Sequence, residues 1–266
     1  METQPKYRFY ATLLDAYTDY LNSDLIWDRY WGWSENPPHT PEEFRQQQFQ
    51  SLIDRINRVP FDSEAADRGT AFNEVVDCLV ENRKSDRIEV EKVYAPAVVG
   101  NRVENAVTAL KVSYNNREFT FDITLCRTMA AKYKGALTQQ FVSGILPTAY
   151  GDVELYGYVD ELMPVSVHDI KTTGSYQVGK FRDHAQHLVY PFALRQMGND
   201  VSRFDYDIVL LGKYGWETFT ETYVFNPDRD IPLLRAKAEG LVEFIEENRG
   251  LITDKKIFNQ LNDTAA

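Results

Sequence analysis

Two aspartates and a lysine interrupt a stretch whose other residues alternate like a β-hairpin. Residues 157–171 read GYVDELMPVSVHDIK, and Asp160, Asp169 and Lys171 stand where alternation would supply apolar side chains. Carboxylate oxygens bind hard divalent cations such as Mg²⁺, which polarise a phosphate and lower the pKa of a bound water. A neighbouring ammonium can orient the attacking water or stabilise charge in the transition state. These residue types together suit phosphodiester hydrolysis.

The turn of this hairpin decides which side chains meet. A two-residue turn at 163–164 pairs Asp160 with Val167, and opposite residues of an antiparallel pair project to the same face. Because alternate residues of a strand share a face, Asp169 and Lys171 are expected to point the same way as Asp160. The two carboxylates and the ammonium should therefore converge.

Strands and helices alternate around the hairpin. Apolar spacing predicts helices in the segments DRGTAFNEVVDCLVENRK and CRTMAAKYKGAL and at about 181–198 and 228–249. Pro191 should kink the helix at 181–198. Strands are predicted at about 88–99, 107–114, 117–124, 139–147, 152–162, 165–171, 204–212 and 217–225. This order predicts one α/β core over residues 63–250.

The two ends of the chain differ from this core. Residues 1–62 contain long stretches that are apolar at helical spacing, which predicts a helical N-terminal extension. The aromatic side chains of WDRYWGW at 27–33 are expected in its core, since such clusters usually pack internally. Residues 251–266 predict a weakly ordered C-terminal tail.

Composition excludes several classes of site. The chain has 266 residues and two cysteines, neither in a Cys-x-x-Cys pattern, so a cysteine-rich zinc site and a four-cysteine iron–sulfur cluster are excluded. A metal must then be held mainly by oxygen ligands. The net charge of -11 disfavours broad attraction to DNA or anionic membranes but allows a local basic groove. With no long apolar run and no signal-peptide order, we expect a cytoplasmic protein with no membrane partner.

Four short motifs occur in the order typical of one enzyme superfamily. They are Gly69-x-x-x-Asn73, Gly157-Tyr-Val-Asp160, Asp169-Ile-Lys171 and Gln186-x-x-x-Tyr190, and they span about 120 residues. In this set the chain resembles the PD-(D/E)XK nucleases, in particular the RecB-like and phage-exonuclease branch.

The resemblance implies a restriction-endonuclease-like core, in which a central mixed β-sheet is flanked by helices. It implies that Asp160 and Asp169 bind Mg²⁺ or Mn²⁺, that Lys171 assists the attacking water, and that Gln186 and Tyr190 support the site or the DNA. The implied function is a metal-dependent deoxyribonuclease, in this branch an exonuclease of phage or prophage recombination.

The metal-ligand set extends beyond the two aspartates. The backbone carbonyl of Ile170 lies between two polar side chains and can complete a coordination shell, while its own side chain points into the core. Asn73 stands where RecB-like relatives carry a histidine ligand, so the first motif departs from the pattern. Helical geometry places Asn73 about 90° from the buried stripe and Glu74 nearly opposite it, at about 100° per residue. We therefore expect Asn73 near the metal and Glu74 in solvent, with Asp77 as a weaker candidate.

The substrate and its partners are less closely defined by these residues. Lys180 and Arg182, after the hairpin, are candidate phosphate contacts. A homo-oligomer or a recombination partner protein is also compatible with the resemblance. Two alternatives stay open, namely a catalytically inactive nucleic-acid-binding module on the same fold and a structural or assembly protein.

Overall fold

The structure, a computed structural model, describes residues 4–99, 102–213 and 215–259. Two short 3₁₀ turns, Arg249–Leu251 and Lys255–Phe258, follow the last helix. In chain order the elements are β1 (Tyr7–Tyr10), α1 (Ala11–Leu21), α2 (Ser23–Trp31), α3 (Pro41–Ile56), α4 (Glu64–Val80), β2 (Glu89–Val99), β3 (Arg102–Tyr114), β4 (Arg117–Asp122), α5 (Ile123–Lys132), β5 (Leu137–Thr148), β6 (Gly151–Met163), β7 (Ser166–Thr173), α6 (Gln186–Gln196), β8 (Arg203–Gly212), β9 (Gly215–Val224) and α7 (Pro227–Glu247).

A six-stranded mixed sheet lies at the centre, so the predicted mixed α/β architecture is confirmed at this level. Its order is β1-β6-β7-β8-β9, and β5 pairs with the other edge of β6. The pairs β1–β6 and β7–β8 are parallel, whereas the remaining pairs are antiparallel. Strand β6 pairs with β1 over 153–156 and with β7 over 161–163. Residues 157–160 of β6 lie between these two ladders and pair with neither β1 nor β7. We call this opening in the sheet the fork.

Helices cover both faces of the central sheet, and each face has its own hydrophobic core. One core joins the sheet to helices α1, α3, α6 and α7. The other joins it to α4, α5 and a second, three-stranded antiparallel sheet of order β2-β3-β4. Side chains of β7 point alternately to the two faces of the sheet, so the strand contributes to both cores. Val167 packs in the first core and Ile170 in the second. The expectation that the Ile170 side chain points into the core is thus confirmed.

Local sequence signals begin and end several of these elements. Thr40 and Glu43 form a capping box at the start of α3, and the Asp122 side chain caps α5. Asn115 and Asn116 take φ angles of 50° and 60°, as a two-residue hairpin turn between β3 and β4 requires. Helix α6 begins at Gln186 rather than near 181, so the predicted start was five residues too early.

The N-terminal segment corrects two expectations. Residues 7–10 form a strand of the central sheet, which the helical pattern had concealed, and α1 and α3 share the first hydrophobic core with that sheet. The aromatic segment 27–33 is not internal. Tyr30 is 68% exposed and Trp33 is 96% exposed, while Trp31 packs edge-on against Phe44 at 5.2 Å.

The predicted register of the hairpin at 157–171 was also wrong, by one residue on each strand. The turn lies at 164–165, and Val167 pairs with Leu162 instead of with Asp160. The ladder ends at Glu161 and His168. Asp160 and Asp169 nevertheless lie close enough for their charges to interact, as the hairpin predicted.

The C-terminal segment is partly built into the fold. Ile257 is 1% exposed in the first core, so the residues up to 259 are more ordered than the sequence predicts. The rest of the predicted tail, 260–266, lies outside the described residues. Within the described ranges, no helix is both long and apolar enough to cross a membrane.

Candidate active site

The fork between β6 and β7 is closed by the side chain of Asp160. Its Oδ2 accepts the backbone N–H of Ile170 at 2.9 Å, in a place where the ladder no longer supplies a carbonyl. The same oxygen accepts a hydrogen bond from Nδ2 of Asn73 on α4 at 3.2 Å. Asp160 therefore ties β6 to β7 and to α4 at a single point.

Asp169 and Lys171 form a closed network with helix α6. Nζ of Lys171 lies 2.7 Å from Oδ2 of Asp169 and donates to Oε1 of Gln186 at 2.7 Å. Nε2 of Gln186 in turn donates to Oδ1 of Asp169 at 2.5 Å and lies 3.3 Å from the hydroxyl of Tyr190. Each polar end of Gln186 thus contacts one charged residue, which fixes both charges relative to the helix. Gln186 and Tyr190 share a helix face through their i, i+4 spacing.

Gly157 gives Tyr190 the room to reach this network. A Cβ atom at position 157 would lie 2.5 Å from Cε1 of Tyr190 and 3.0 Å from its hydroxyl oxygen. The glycine of the Gly157-Tyr-Val-Asp160 motif is therefore required by the close approach of α6 to the sheet.

Burial and mutual repulsion set the charge states of the site. Burial, reinforced by the charge of Asp169, raises the pKa of Asp160 to about 7, although the Ile170 N–H and Lys171 oppose this rise. Burial lowers the pKa of Lys171, but the ion pair with Asp169 and the field of Asp160 outweigh it, and the net shift is upward. Lys171 is therefore a cation and a poor general base as long as these carboxylates surround it.

The structure answers which residue of α4 lies at the site. Asn73 contacts Asp160, and its place near a metal stays a prediction, whereas Glu74 does not lie in solvent. It is 3% exposed and forms an ion pair with Arg83 at 2.7 Å and a longer one with Arg87 at 3.4 Å. The prediction for Glu74 was wrong because the arginines came from the loop after α4, which no helical periodicity reveals.

Asp77 lies one turn beyond Asn73 and faces Glu161 behind the fork. Burial, reinforced by the charge of Asp77, raises the pKa of Glu161 to about 9, and burial raises that of Asp77 to about 6. Both carboxylate oxygens of Glu161 are buried with no hydrogen-bond partner in the described part of the chain. Val159 packs in the first core and Glu161 faces α4, so strict alternation does not hold through Asp160.

The two predicted phosphate contacts stand apart from this network. Nζ of Lys180 donates to the hydroxyl of Thr173 and to the carbonyl of Ser175, both at 2.9 Å, and thereby ties the loop after β7 to its own start. Arg182 is exposed beside Gly179 in a shallow cleft against β9. Neither contacts the carboxylates, and their role in substrate binding stays a prediction.

Sequence reasoning missed Asp15, a half-buried residue of α1 that lies next to the network. Its Oδ1 accepts the backbone N–H of Ala185 at 2.5 Å, directly before Gln186, and so fixes the start of α6. Burial raises the pKa of Asp15 to about 7, against the opposing field of Lys171. The only signal was an aspartate within an otherwise apolar helical stripe.

A second polar cluster, also missed, supports β7 from its other face. Nδ1 of His168 lies 2.9 Å from Oδ2 of Asp207, which also accepts the Tyr133 hydroxyl at 2.6 Å. Burial opposes ionisation of Asp207, but bonds from His168, Lys132 and Tyr133 hold its pKa at about 2. This cluster lies on the face of β7 opposite Asp169 and Lys171 and fixes the strand on that side.

The oxygen atoms at the fork fit a hard divalent cation. Oδ1 of Asn73 is buried and accepts no hydrogen bond from any described residue, so it has a free lone pair near Asp160. Within the described ranges, no three His, Cys, Asp or Glu side chains are arranged to hold a metal. The oxygen atoms near the fork are instead those of the Asp160 and Asp169 carboxylates and of the Asn73 amide, which suit Mg²⁺ better than a softer ion. The Ile170 carbonyl as a further ligand stays a prediction.

Comparisons with known proteins add little to this geometry. No protein-family model matches the sequence, and no curated protein matches it. One similar solved structure, titled "Crystal structure of SSO0001", is 11% identical with a TM-score of 0.32. The match covers 47% of this chain and 58% of that chain, and likeness at this level carries no argument about fold or function.

Replacing Gly157 with alanine should displace Tyr190. The added methyl meets the ring at 2.5 Å, so we expect a loss of about 1–3 kcal/mol in the free energy of unfolding, typical of overpacking. Urea unfolding measures it. Gly174→Ala is the matched control, because a Cβ there meets nothing within 4 Å. Equal stability of the two variants would mean that the approach of α6 to β6 is not as tight as described.

Replacing Glu161 with glutamine should stabilise the protein in a pH-dependent way. Because its folded-state pKa of about 9 exceeds the ordinary value, the wild type loses stability as pH rises from about 4.5 to 9. The variant avoids this loss, so its melting temperature should exceed the wild type by at least about 2–4 °C at pH 8, the shift for about 1 kcal/mol. At pH 4 the gain should vanish. Exposed Glu217→Gln is the control, and a gain independent of pH would contradict the assignment.

Proposed function

We propose that this protein is a divalent-metal-dependent nuclease of the PD-(D/E)XK type, with a restriction-endonuclease-like core. One observation supports this most. Side chains from four separate sequence motifs meet at the fork in the central sheet. Asn73 contacts Asp160, and Asp169, Lys171, Gln186 and Tyr190 form a polar network beside them. Asp160 joins that network through the backbone N–H of Ile170, which precedes Lys171.

The residues of the fork divide the work of phosphodiester hydrolysis. Asp160, Asp169, the Ile170 carbonyl and Asn73 would hold Mg²⁺ or Mn²⁺, which when bound polarises the phosphate and lowers the pKa of a water ligand. Lys171 is charged and held by Gln186, so it is suited to orient the attacking water and to stabilise negative charge on the reacting phosphate. Tyr190 and Asp15 fix the position of Gln186 from two sides, by side chain and by backbone.

DNA as the substrate, exonuclease action and a place in phage or prophage recombination follow from the motif resemblance alone.

A catalytically inactive binding module on the same fold is the competing function that an observation favours. The amide of Asn73 and the Ile170 N–H already satisfy Oδ2 of Asp160. Isothermal titration with Mg²⁺ and Mn²⁺ separates the two, because only the nuclease requires a cation at the fork.

Alanine substitutions at Asp160, Asp169 and Lys171 test the catalytic assignment. Each should lower the rate of DNA cleavage by about a hundredfold or more, since each removes a ligand or a charge on the reacting group. Without metal, each aspartate variant relieves the repulsion between the two carboxylates. Asp160→Ala also leaves the Ile170 N–H without an acceptor and Asp169→Ala leaves Lys171 without its ion pair, so urea unfolding is used to confirm that each variant is folded. Lys256→Ala, in the second Asp-x-Lys triplet of the chain, and Asp24→Ala on the surface are matched controls. Normal cleavage by any purified aspartate variant would refute the assignment.

The affinity for Mg²⁺ should depend on pH in a defined direction. A proton on Asp160 competes with the cation, so affinity should fall about tenfold per pH unit below a pKa of about 7 and level off above it. Calorimetry in two buffers of different ionisation enthalpy should show about one proton released at pH 6. In Asp160→Asn both the proton release and the pH dependence should disappear. If the affinity for Mg²⁺ did not change between pH 5.5 and 7, Asp160 would not be a ligand.

A further inference from the structure

We propose that a cleft beside the fork, here called the tyrosine cleft, binds an unpaired nucleic-acid strand and leads it to the carboxylates. This inference rests on the proposed function and specifies its substrate. The tyrosine cleft has a volume of about 840 Å³ and lies between β6, the start of α1 and the end of α3. Its lining includes Tyr156, Tyr158, Arg55, Arg58, Phe61 and Tyr190.

The tyrosine cleft is continuous with the active site. Gly157 and Tyr190 both line it, and the Tyr190 hydroxyl lies 3.3 Å from the Gln186 nitrogen that bonds Asp169. Along β6, the cleft residues 156–158 come directly before Val159 and Asp160. A strand lying in the cleft would therefore pass over the part of β6 that ends at the fork.

Two aromatic side chains in the cleft are exposed to a degree that packing does not explain. Tyr158 is 57% exposed, and Phe61 is 79% exposed in the loop after α3. Phe141 packs edge-on against the Tyr158 ring at 5.4 Å and braces it from the neighbouring strand β5. A braced, exposed ring is a stacking platform, and stacking on aromatic side chains is how proteins bind bases without sequence preference.

Stacking of this kind selects unpaired bases. In a duplex, each base is already stacked on its neighbours and its flat face is covered. Recognition through aromatic stacking therefore targets single strands, whose bases can be splayed apart. The rings of Tyr158 and Phe61 also belong to a recess between secondary-structure elements rather than to a flat outer surface.

The cleft supplies local positive charge in a chain that is acidic overall. Arg58 is held in place by the Tyr156 hydroxyl at 2.7 Å and by Asp254 at 2.6 Å, and it lies over the Tyr10 ring. Arg55, one helical turn earlier, is exposed. Among the described residues that line the cleft, Asp54 is the single carboxylate, and Gln50 donates to it at 2.7 Å. Asp254 pairs with Arg58, so Arg55 is the cation of this lining that is left to meet a phosphate, while the aromatic rings match the bases of a single strand.

Binding without metal tests the cleft separately from catalysis. The probe is a fluorescein-labelled twelve-residue oligothymidylate in EDTA, compared by anisotropy with a blunt duplex of equal length. We expect tighter binding of the single strand. Tyr158→Ala and Phe61→Ala should each weaken it about tenfold, the loss for one stacked base, whereas Tyr158→Phe should not. Tyr94→Ala on β2 is the matched control, because Tyr94 is also 57% exposed.

Charge reversal tests the phosphate contacts in the same assay. Arg55→Glu should weaken oligothymidylate binding and reduce the slope of log affinity against log salt by about 0.7, the value per phosphate contact for single strands. Arg45→Glu, on the same helix but outside the cleft lining, should leave both unchanged. Urea midpoints of all variants should match the wild type, since these side chains are exposed.

The outcomes distinguish the cleft from the nuclease. Unchanged affinity in Tyr158→Ala and Phe61→Ala, equal binding of duplex and single strand, or no binding of oligothymidylate would each overturn the cleft proposal, even if Mg²⁺-dependent cleavage is found. Oligothymidylate binding that depends on Tyr158 and Arg55, together with no cleavage in Mg²⁺ or Mn²⁺, would sustain the cleft and reject the nuclease.

Discussion

The hydrogen bond from the Ile170 N–H to the carboxylate of Asp160 is the interaction on which the site depends. In an ordinary antiparallel ladder a carbonyl of β6 would accept this N–H, and the two strands would stay paired. Here β6 leaves β7 to pair with β1, and a side chain takes over as acceptor. The fork thus brings a carboxylate between two strands of a sheet without leaving a buried donor unsatisfied.

A carboxylate in such a place is costly unless its surroundings hold it. Asp160 is close to Asp169, and burial together with this repulsion favours the protonated form of Asp160. Lys171 offsets part of the cost, and a divalent cation would offset more of it. The same reasoning explains the anchoring of β7 from both faces. Gln186 holds Asp169 and Lys171 on one face, and His168 contacts Asp207 on the other, so the strand cannot relax away from the repulsion.

The N-terminal helices connect this site to the tyrosine cleft. Asp15 on α1 accepts the N–H that precedes Gln186, and Arg55 on α3 lines the cleft that ends at Tyr190. The first 62 residues therefore contribute both to the position of the polar network and to one wall of the substrate path that we propose. The strand β1 explains why they can do so, because it fixes α1 directly to the edge of β6.

The sequence by itself determined the kinds of most elements, most of their bounds and the identity of the network residues. Periodicity and turn residues carry that information locally, and the Asp169-Ile-Lys171 and Gln186-x-x-x-Tyr190 spacings place side chains on one face within a single element. Tertiary structure alone decided what crosses between elements. The pairing of residues 7–10 with β6, the burial of Glu74 by Arg83, the contact of Asp15 with Ala185 and the opening of the fork all join residues far apart in the chain or in different elements. Such contacts are set by packing and by the need to satisfy each buried polar group. Neither requirement produces a periodic pattern of apolar and polar residues in the sequence.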